Sequence, residues 1–525
     1  MKDTQQLTSV VIAGGGTAGW LTACILAAKH RPGNLSITVI ESPDIPTLGV
    51  GEGTWPTMRG TLQKIGIDEA TFLSACHGSF KQGTSFHQWR KPEASPHQYY
   101  HPFSLPFNYF DTDCAAWWQR YQPQMDFASV ATSQGAICDR NLAPKQAETP
   151  PFAGVVNYGY HLDAVKFAGL LKNHATSESC VTHITGHISS VIPSEDGGIH
   201  SMVLDKTGRE IEGDIFIDCT GFSARLIGEH CGEPLISCKH ILANDSAVAV
   251  QCQYAADDTP VASVTRSVAQ SKGWIWDIAL PERRGAGYVY SSQHCTAEEA
   301  IRTLHRYAGS DKSLRDVSFG EFSGKAKYFN FEPGYRRSPW QKNCVAIGTS
   351  AGFLEPLEAS ALVMIELAAT LLSEQLPRYT NQIAPVARQF NQQLAGKWSR
   401  IVDFLKLHYV LSDRDDSAYW QEMRKLSSCS EQLQDWLSMW STRSPNASDF
   451  NLRDEIFPAA SYLYVLYGMD FNTAFLPGSA DHDSSGHQHA WHKQQQLTRQ
   501  HLAGLPANRA LLNQLTGARK YQVNR

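Results

Sequence analysis

Three features of the 525-residue chain predict an α/β protein, with a doubly wound, Rossmann-type nucleotide-binding sheet followed by a mainly helical C-terminal module. First, the apolar run Ser9 to Ala13 breaks into Gly14-Gly15-Gly16-Thr17-Ala18-Gly19 and continues as WLTACILAAKH, which has helical periodicity. Strand, G-x-G-x-x-G and helix, in that order, form the context of a dinucleotide-binding turn. Second, LSITVIES supplies another strand and carries Glu41 at its end, 22 residues beyond Gly19. Third, DIFIDCTGF (214–222) and NCVAIGTSAGF (343–353) each read as a buried strand breaking into a glycine-containing turn. Ligands of doubly wound sheets sit at such carboxyl ends. These segments are dispersed, so a nucleotide-binding module with interleaved sheet and substrate-side insertions is expected over 1–375. A mainly helical substrate module is expected over 376–525. The length exceeds the ~250–300 residues at which one hydrophobic core stops growing, which agrees with two modules.

Within the loop, Gly14 permits the tight turn, Gly16 lets a pyrophosphate approach the backbone, and Gly19 lets helix and strand pack closely. Thr17 and Ala18 open the helix, whose N-terminal N–H groups and partial positive charge suit phosphates. Glu41 can accept hydrogen bonds from the ribose hydroxyls of an adenine dinucleotide. The loop alone does not separate FAD from NAD. LGVGEGTWP (48–56), which contains Gly51 and Glu52, places three glycines where backbone passes close to something bulky. The dispersal of the later strands also suits a large flavoprotein better than a nicotinamide dehydrogenase, which more often completes its unit in one block. FAD is the expected dinucleotide.

Composition excludes several classes. With 42% hydrophobic and 18% charged residues and a net charge of −5, no basic excess points to nucleic acid or an anionic membrane surface. The twelve cysteines are scattered without a CxxC pair or metal-ligand spacing, as in a reduced cytoplasmic chain. No signal peptide and no apolar run of about 18 residues is visible, so a soluble protein is expected.

Four further stretches narrow the reading. GSFKQGTSFHQW (78–89) centres on Lys81, and GWIWDIAL (273–280) carries Trp274, Trp276 and Ile278. GFLEPLEASAL (352–362) holds Glu355 and Glu358, and HYVLSDRDDSAYW (408–420) lies in the helical C-terminal part. With the glycine loop, these stretches resemble the flavin-dependent tryptophan halogenase family, over about residues 8 to 470. The tryptophan and EPLE motifs are far more specific than the loop. The resemblance implies an FAD-binding, GR2-like flavoprotein monooxygenase/halogenase fold. It also implies an enzyme that uses FADH2, oxygen and chloride or bromide to make hypohalous acid and to halogenate an electron-rich aromatic, indole or tryptophan-like. By the same resemblance Lys81 is the catalytic lysine and Glu358 the catalytic glutamate. Ser360 and Ala361 hold the halide through backbone amides, and Gly348, Thr349 and Leu362 contact the flavin. His101 and Phe103, in YYHPF, pack around the aromatic substrate, while Trp274 and Trp276 line the route near the flavin. A separate flavin reductase is implied as the source of FADH2, since no nicotinamide site is evident beyond the one glycine loop.

The chain departs from the family pattern in three places. The usual EPLEST-G reads Glu355-Pro356-Leu357-Glu358-Ala359-Ser360-Ala361. The hydroxyl after the glutamate is lost, and a positive φ at Ala361 would be strained. The proline of the tryptophan motif is replaced by Ala279. Between Arg424 and Phe471 no paired tyrosine precedes a glutamate and an aromatic pair. The family's members that bind free tryptophan use that run, so its absence counts against free tryptophan and leaves a bare indole or another electron-rich aromatic open.

The residues themselves fit this chemistry, each beside a plainer reading. Lys81 lies between Phe80 and Phe86 with only uncharged neighbours from Gly78 to Phe86. That setting suits a buried amine of depressed pKa; the plainer reading is a surface lysine lying over aromatic rings. Glu358 can stabilise a cationic ring intermediate or take its proton, or simply favour a helix N-terminus, for which Glu355 is better placed. Alternation puts Trp274, Trp276 and Ile278 on one strand face, as core or as barrier. A flavin monooxygenase hydroxylating an aromatic, and an inactive FAD-binding member, are the alternatives. SADHDSSGHQHAWH (479–492) reads as an exposed loop rather than a metal site, and RALLNQLTGARKYQVNR as an amphipathic helix. A homodimer is compatible with the sequence.

Overall fold

Strand Ser9–Ala13 lies inside a six-stranded sheet in the computed structural model, which describes residues 5–30, 35–45, 49, 51–91, 97–110, 113–177, 181–452, 454–479 and 484–520. The sheet order is Trp340–Gln341, Cys344–Ala346, Ile215–Asp218, Ser9–Ala13, Ser36–Glu41 and Thr182–Thr185. All neighbours run parallel except the antiparallel edge strand Trp340–Gln341. Val10, Val11, Ile12 and Ala13 are all buried, as a parallel strand covered on both faces requires. Helix Thr17–His30 packs with Ala164–Ser177 and Ser360–Gln375. Val11, Ala13 and Phe216 share a second core with Met202, Leu204 and Ile211 of the antiparallel sheet Ile188–Pro193, Ile199–Leu204 and Glu210–Glu212.

This sheet belongs to one of two units. It comprises Met1–His77, Leu162–Cys238 and Phe331–Trp398, and the other comprises Gly78–His161, Lys239–Asn330 and Ser399–Arg525. The segments 78–161 and 239–330, although they lie within the first 375 residues, thus pack with the C-terminal segment.

The second unit holds a seven-stranded sheet in the order Lys327–Asn330, Ser246–Gln253, Arg283–Tyr290, Gly273–Ala279, Thr265–Gln270, Gly83–His87 and Gln98–Pro102. Only the pair Thr265–Gln270 and Gly83–His87 is parallel. Helix Ala297–Gly309, opened by a capping box of Thr296 and Glu299, covers one face and packs Ala300, Ile301 and Leu304 against Val248, Val250, Ile275 and Tyr288. On Gly273–Ala279 the residue between the tryptophan and isoleucine positions, Asp277, is buried. Arg284 and the hydroxyl of Tyr307 (2.7 Å) satisfy its carboxylate. An aromatic layer on the C-terminal helices completes the unit. His408 stacks on Phe86 with ring centroids 4.6 Å apart, and its Nδ1 lies 2.6 Å from the hydroxyl of Tyr99.

One expected loop is a helix. Ser484–Gly504 is helical, and His487 stacks parallel to Trp117 at 6.2 Å. Past Gly486 the stretch contains no glycine or proline until Gly504, and tertiary packing of His487 and Trp491 on Trp117 overrides its polar composition. His482 lies outside the described residues. The final segment forms helix Asn508–Lys520, with 521–525 likewise outside. Among the described residues no helix is long and apolar enough to cross a membrane.

Candidate active site: a cofactor cradle and a buried lysine

The glycine loop divides its work between packing and opening. A Cβ on Gly14, at φ +113°, would lie 2.2 Å from the carbonyl oxygen of Cys219, and one on Gly19 would lie 1.9 Å from that of Gly14. Neither position admits a side chain. A Cβ on Gly16 would meet nothing within 4 Å, so the backbone there faces open space at the start of helix Thr17–His30. This is the cradle that a pyrophosphate needs: tight where helix meets strand, clear where phosphate approaches. The turn Gly348–Ser350 packs onto the same helix, since a Cβ on Gly348, at φ +85°, would stand 2.8 Å from the Ala18 methyl. Leu362 is buried in helix Ser360–Gln375.

Glu41 stands at the end of its strand, beside Gly15. Its Oε2 accepts from Lys172 Nζ at 2.6 Å and lies 2.9 Å from His183 Nε2. Lys172 and His183 carry no motif, and only the fold brings them to Glu41. Gly49 and Gly51 both adopt positive φ, 147° and 149°. Glu52 follows, its carboxyl pushed up to about 7 by burial and then by the Asp163 charge; Leu48 and Val50 lie outside the described residues. Asp218, also missed by sequence reading, is fully buried and accepts from the N–H groups of Thr220 (2.9 Å), Leu226 and Ile227 (both 2.8 Å). It thereby fixes the DCTG turn at the carboxyl end of its strand. Its signal was an aspartate two residues before a threonine in a turn, where such side chains bond nearby N–H groups.

The turn before helix Ser360–Gln375 is strained, though not where the sequence suggested. Ala361 is helical. The left-handed residues are Glu358 (φ 64°, ψ 8°) and Ala359 (φ 54°, ψ 45°), each costing about 1–3 kcal/mol. Glu358 is buried, and its carbonyl accepts from Trp55 Nε1 at 2.8 Å. Both Ser360 and Ala361, with Gly348, Thr349, Met364 and Trp398, line a cavity of about 30 Å³. A single water needs about 10–15 Å³ by this measure, so the cavity accommodates a small ion or a water pair.

In the other unit, strand Ser79–Lys81 pairs antiparallel with Gly159–Leu162, setting Ser79 opposite His161 and Lys81 opposite Gly159. Lys81 is only 1% exposed, and its Nζ stands 5.4 Å from the ring centroid of Phe103. Phe80, on the opposite face of the strand, packs edge-on against Tyr158 at 5.3 Å. His161 is the diagonal neighbour of Lys81 on one sheet face, within reach of a long side chain. Burial, and after it the Lys81 charge, hold this imidazole well below its ordinary value, and Nε2 lies 2.7 Å from Thr265 Oγ1. Sequence reading missed His161 because only strand register brings it to Lys81. His101 is buried, with its ring 5.6 Å from Phe404. Trp274 and Trp276 stand with ring centroids 6.4 Å apart on a strand whose seven residues are all buried. Gly287, directly across from Trp276, leaves room for the indole: a Cβ there would fall 2.1 Å from its ring atoms.

The sequence-predicted residues therefore divide. The loop Gly14–Gly19, Glu41, Gly51, Glu52, Gly348, Thr349, Glu358, Ser360, Ala361 and Leu362 belong to the first unit, and Lys81, His101, Phe103, Trp274 and Trp276 to the second.

Residues 9–482 match the family described as tryptophan halogenase. A crystal structure of tryptophan halogenase from Shewanella frigidimarina NCIMB 400 superposes with a TM-score of 0.93 at 43% identity, covering 98% of each chain. BrvH, a flavin-dependent halogenase from Brevundimonas sp. BAL3, gives a TM-score of 0.84 at 31% identity, over 97% of this chain and 99% of that one. Tryptophan 6-halogenase SttH of Streptomyces toxytricini is 31% identical over 490 residues, 89% of this chain and 90% of its own length. With a match across nearly its whole length and the shared FAD-binding fold, the chain belongs to the tryptophan halogenase family of flavin-dependent halogenases.

Proposed function

We propose that the enzyme halogenates an electron-rich aromatic, indole or tryptophan-like, by way of hypohalous acid held at Lys81. The burial of that lysine carries the reading: an amine 1% exposed, 5.4 Å from an aromatic ring centroid, is shielded from bulk water and is placed either to hydrogen-bond a small oxidant or to react with it while neutral. The net transfer replaces a ring hydrogen by halogen and releases water, Ar–H + HOX → Ar–X + H2O.

Reduced FAD, supplied by a separate flavin reductase, would provide with oxygen the oxidising power that converts chloride or bromide into hypohalous acid. The residues fit that group. The Gly14–Gly19 loop, with Thr17 and Ala18, would take the pyrophosphate on backbone N–H groups at the helix N-terminus. Because the Glu41 carboxylate's contacts among the described residues, with Lys172 and His183, go to Oε2, Oε1 is the atom that ribose hydroxyls would meet. Gly51, Glu52, Gly348, Thr349 and Leu362 would contact the flavin, and the N–H groups of Ser360 and Ala361, at the positive end of a sixteen-residue helix, would hold the halide. Lys81 then presents the halogen to the ring. Glu358 stabilises the cationic ring and accepts its proton. His101 and Phe103 would pack against the substrate, and Trp274 and Trp276, buried on one strand, would form a rigid wall along its route. A reduced cytoplasmic setting belongs to the same proposal, and no disulfide links the described cysteines.

The test supplies enzymatically reduced FAD, oxygen and chloride or bromide with a panel of indoles and tryptophan, and reads products by mass spectrometry. Halogen isotope patterns on an indole are expected. Hydroxylated product without halogen would overturn the reading in favour of a monooxygenase, and no product from any aromatic would overturn it in favour of a binding protein.

A further inference from the structure

Trp55 stands near the end of the glycine-rich stretch LGVGEGTWP, and nothing in the proposed chemistry uses it. Its indole N–H donates to the carbonyl of Glu358 at 2.8 Å. That carbonyl belongs to the peptide joining Glu358 to Ala359, the two left-handed residues of the turn. The same peptide is held at its other end, where the N–H of Ala359 donates to the carbonyl of Pro356 at 3.0 Å. A peptide moves as a rigid plane, so its rotation changes ψ of Glu358 and φ of Ala359 together. Neither residue is a glycine or an asparagine, and local preference works against the left-handed pair. A bond at each end of the connecting peptide works for it.

The donor is itself fastened to the helix that the turn opens. Helix Thr57–Ile65 follows Trp55 almost at once, and the N–H of Met58 donates to the Trp55 carbonyl at 3.2 Å. The hydroxyls of Thr57 and Thr61 donate to the two carboxyl oxygens of Glu366, at 3.1 and 2.6 Å. Glu366 lies on Ser360–Gln375, so the segment 55–61 grips that helix at one point and the turn before it at another. All of these residues belong to one unit. A phenylalanine at position 55 would still present an aromatic ring, but it has no N–H to donate.

We propose that Trp55 is a positioning residue whose indole N–H locks the peptide between Glu358 and Ala359. The lock fixes the direction in which Glu358 projects its side chain and the direction of the N–H groups of Ser360 and Ala361, which border the cavity of about 30 Å³. The consequence for the reaction rests on the proposed roles of Glu358 as the carboxylate and of the two amides as halide holders. Trp55 touches neither halide nor substrate in this scheme; it acts through the turn. Without its donor the buried Glu358 carbonyl loses a partner, and the left-handed pair loses one of the two bonds that oppose its relaxation.

Two variants of the full-length protein remove the donor. Trp55→Phe keeps an aromatic ring, and replacement of Trp55 by benzothienylalanine, with sulfur in place of the N–H, keeps the bicyclic outline too. Amide hydrogen exchange read by mass spectrometry should quicken about tenfold over 355–362 in both, as the loss of one hydrogen bond to a buried carbonyl requires, while helix Thr57–Ile65 exchanges as in the wild type. In halogenation with enzymatically reduced FAD, oxygen and an indole, the bromide KM should rise about tenfold. The indole KM and the FAD dissociation constant should stay at their wild-type values; an indole that merely packs the unit would move all three or none. The proposal is overturned if exchange over 355–362 is unchanged in a folded variant, if it quickens equally over 57–65, or if the bromide KM does not move. A wild type that yields no halogenated product overturns the proposed function instead, and the exchange measurement, which needs no turnover, still decides whether Trp55 locks the turn. The benzothienylalanine variant, closest in shape, decides the matter should Trp55→Phe fail to fold.

Discussion

In the unit that carries the glycine loop, here the cofactor unit of the proposal, the groups proposed to meet a ligand are largely backbone atoms. They are the backbone at Gly16, which has open space on its Cβ side, the turn at Gly348, and the N-terminus of Ser360–Gln375 behind the left-handed pair Glu358 and Ala359. In the lysine unit the groups of the proposed site are side chains from separate segments: Lys81, with Phe103 and His161 beside it, and Trp274 and Trp276 of another strand. A site made of backbone is damaged by adding atoms, because a Cβ blocks a turn or an approach. A site made of side chains is damaged by deleting functional groups while the fold persists. The two units should therefore respond in opposite ways to small substitutions.

The largest effect is expected at Lys81. Lys81→Ala should lower halogenation at least ~1000-fold while FAD binding, followed by flavin fluorescence, stays unchanged; a variant that still halogenates sinks the assignment. Glu358→Gln tests the one reactive side chain assigned to the cofactor unit. It retains the strained backbone and removes only the charge, so a loss of roughly 100-fold or more in product formation is expected with the melting temperature preserved. Should the rate survive, Glu358 serves the turn and not the chemistry.

Two glycines of one loop sharpen the contrast further. Gly19→Ala places a methyl 1.9 Å from the Gly14 carbonyl, an overpacking that should cost about 1–3 kcal/mol and lower FAD affinity and stability together. Gly16→Ala meets nothing in the protein, so it should weaken FAD binding while leaving denaturant stability within about 0.5 kcal/mol. Equal stability losses in both would mean that the open space at Gly16 is not where the ligand approaches.

The same contrast explains what the sequence revealed. The strands at 9–13, 36–41, 215–218 and 344–346 were legible because each is an apolar run ended by a glycine turn or an acidic residue. That pattern is local, so it survives dispersal along the chain. In the lysine unit the legible motifs, around Lys81 and at Trp274 and Trp276, resemble a family's and carry no such strand-and-turn pattern. Gly78–Phe86 showed that Lys81 has uncharged neighbours, but the antiparallel register that sets His161 beside it is a property of two strands about 80 residues apart. Nor could the altered turn show which residue would take positive φ: strain was expected at Ala361, and it falls on Glu358 and Ala359. The histidine-rich stretch failed for the same reason, since its helix rests on a ring contact with Trp117, some 370 residues earlier.

Glu366 gives the smallest effect and tests whether the cofactor unit tolerates buried charge apart from its ligand sites. Its carboxyl accepts from Thr61 at 2.6 Å and Thr57 at 3.1 Å, and burial pushes it from 4.5 to about 7. The folded-state value is the raised one. Its stabilising contribution is therefore complete below pH 4.5 and is lost as pH rises through about 7, the carboxylate being the disfavoured form inside. Glu366→Gln keeps the shape and an acceptor for the threonine hydroxyls but cannot ionise. Relative to that variant, the wild type should lose roughly 2–3 kcal/mol between pH 4.5 and pH 8, measured by urea unfolding. Glu52 titrates in the same window, but it is present in both proteins and cancels in the difference. A difference that does not change with pH would mean that Glu366 is already ionised in the folded core, with the hydroxyls of Thr57 and Thr61 stabilising the charge in place of water.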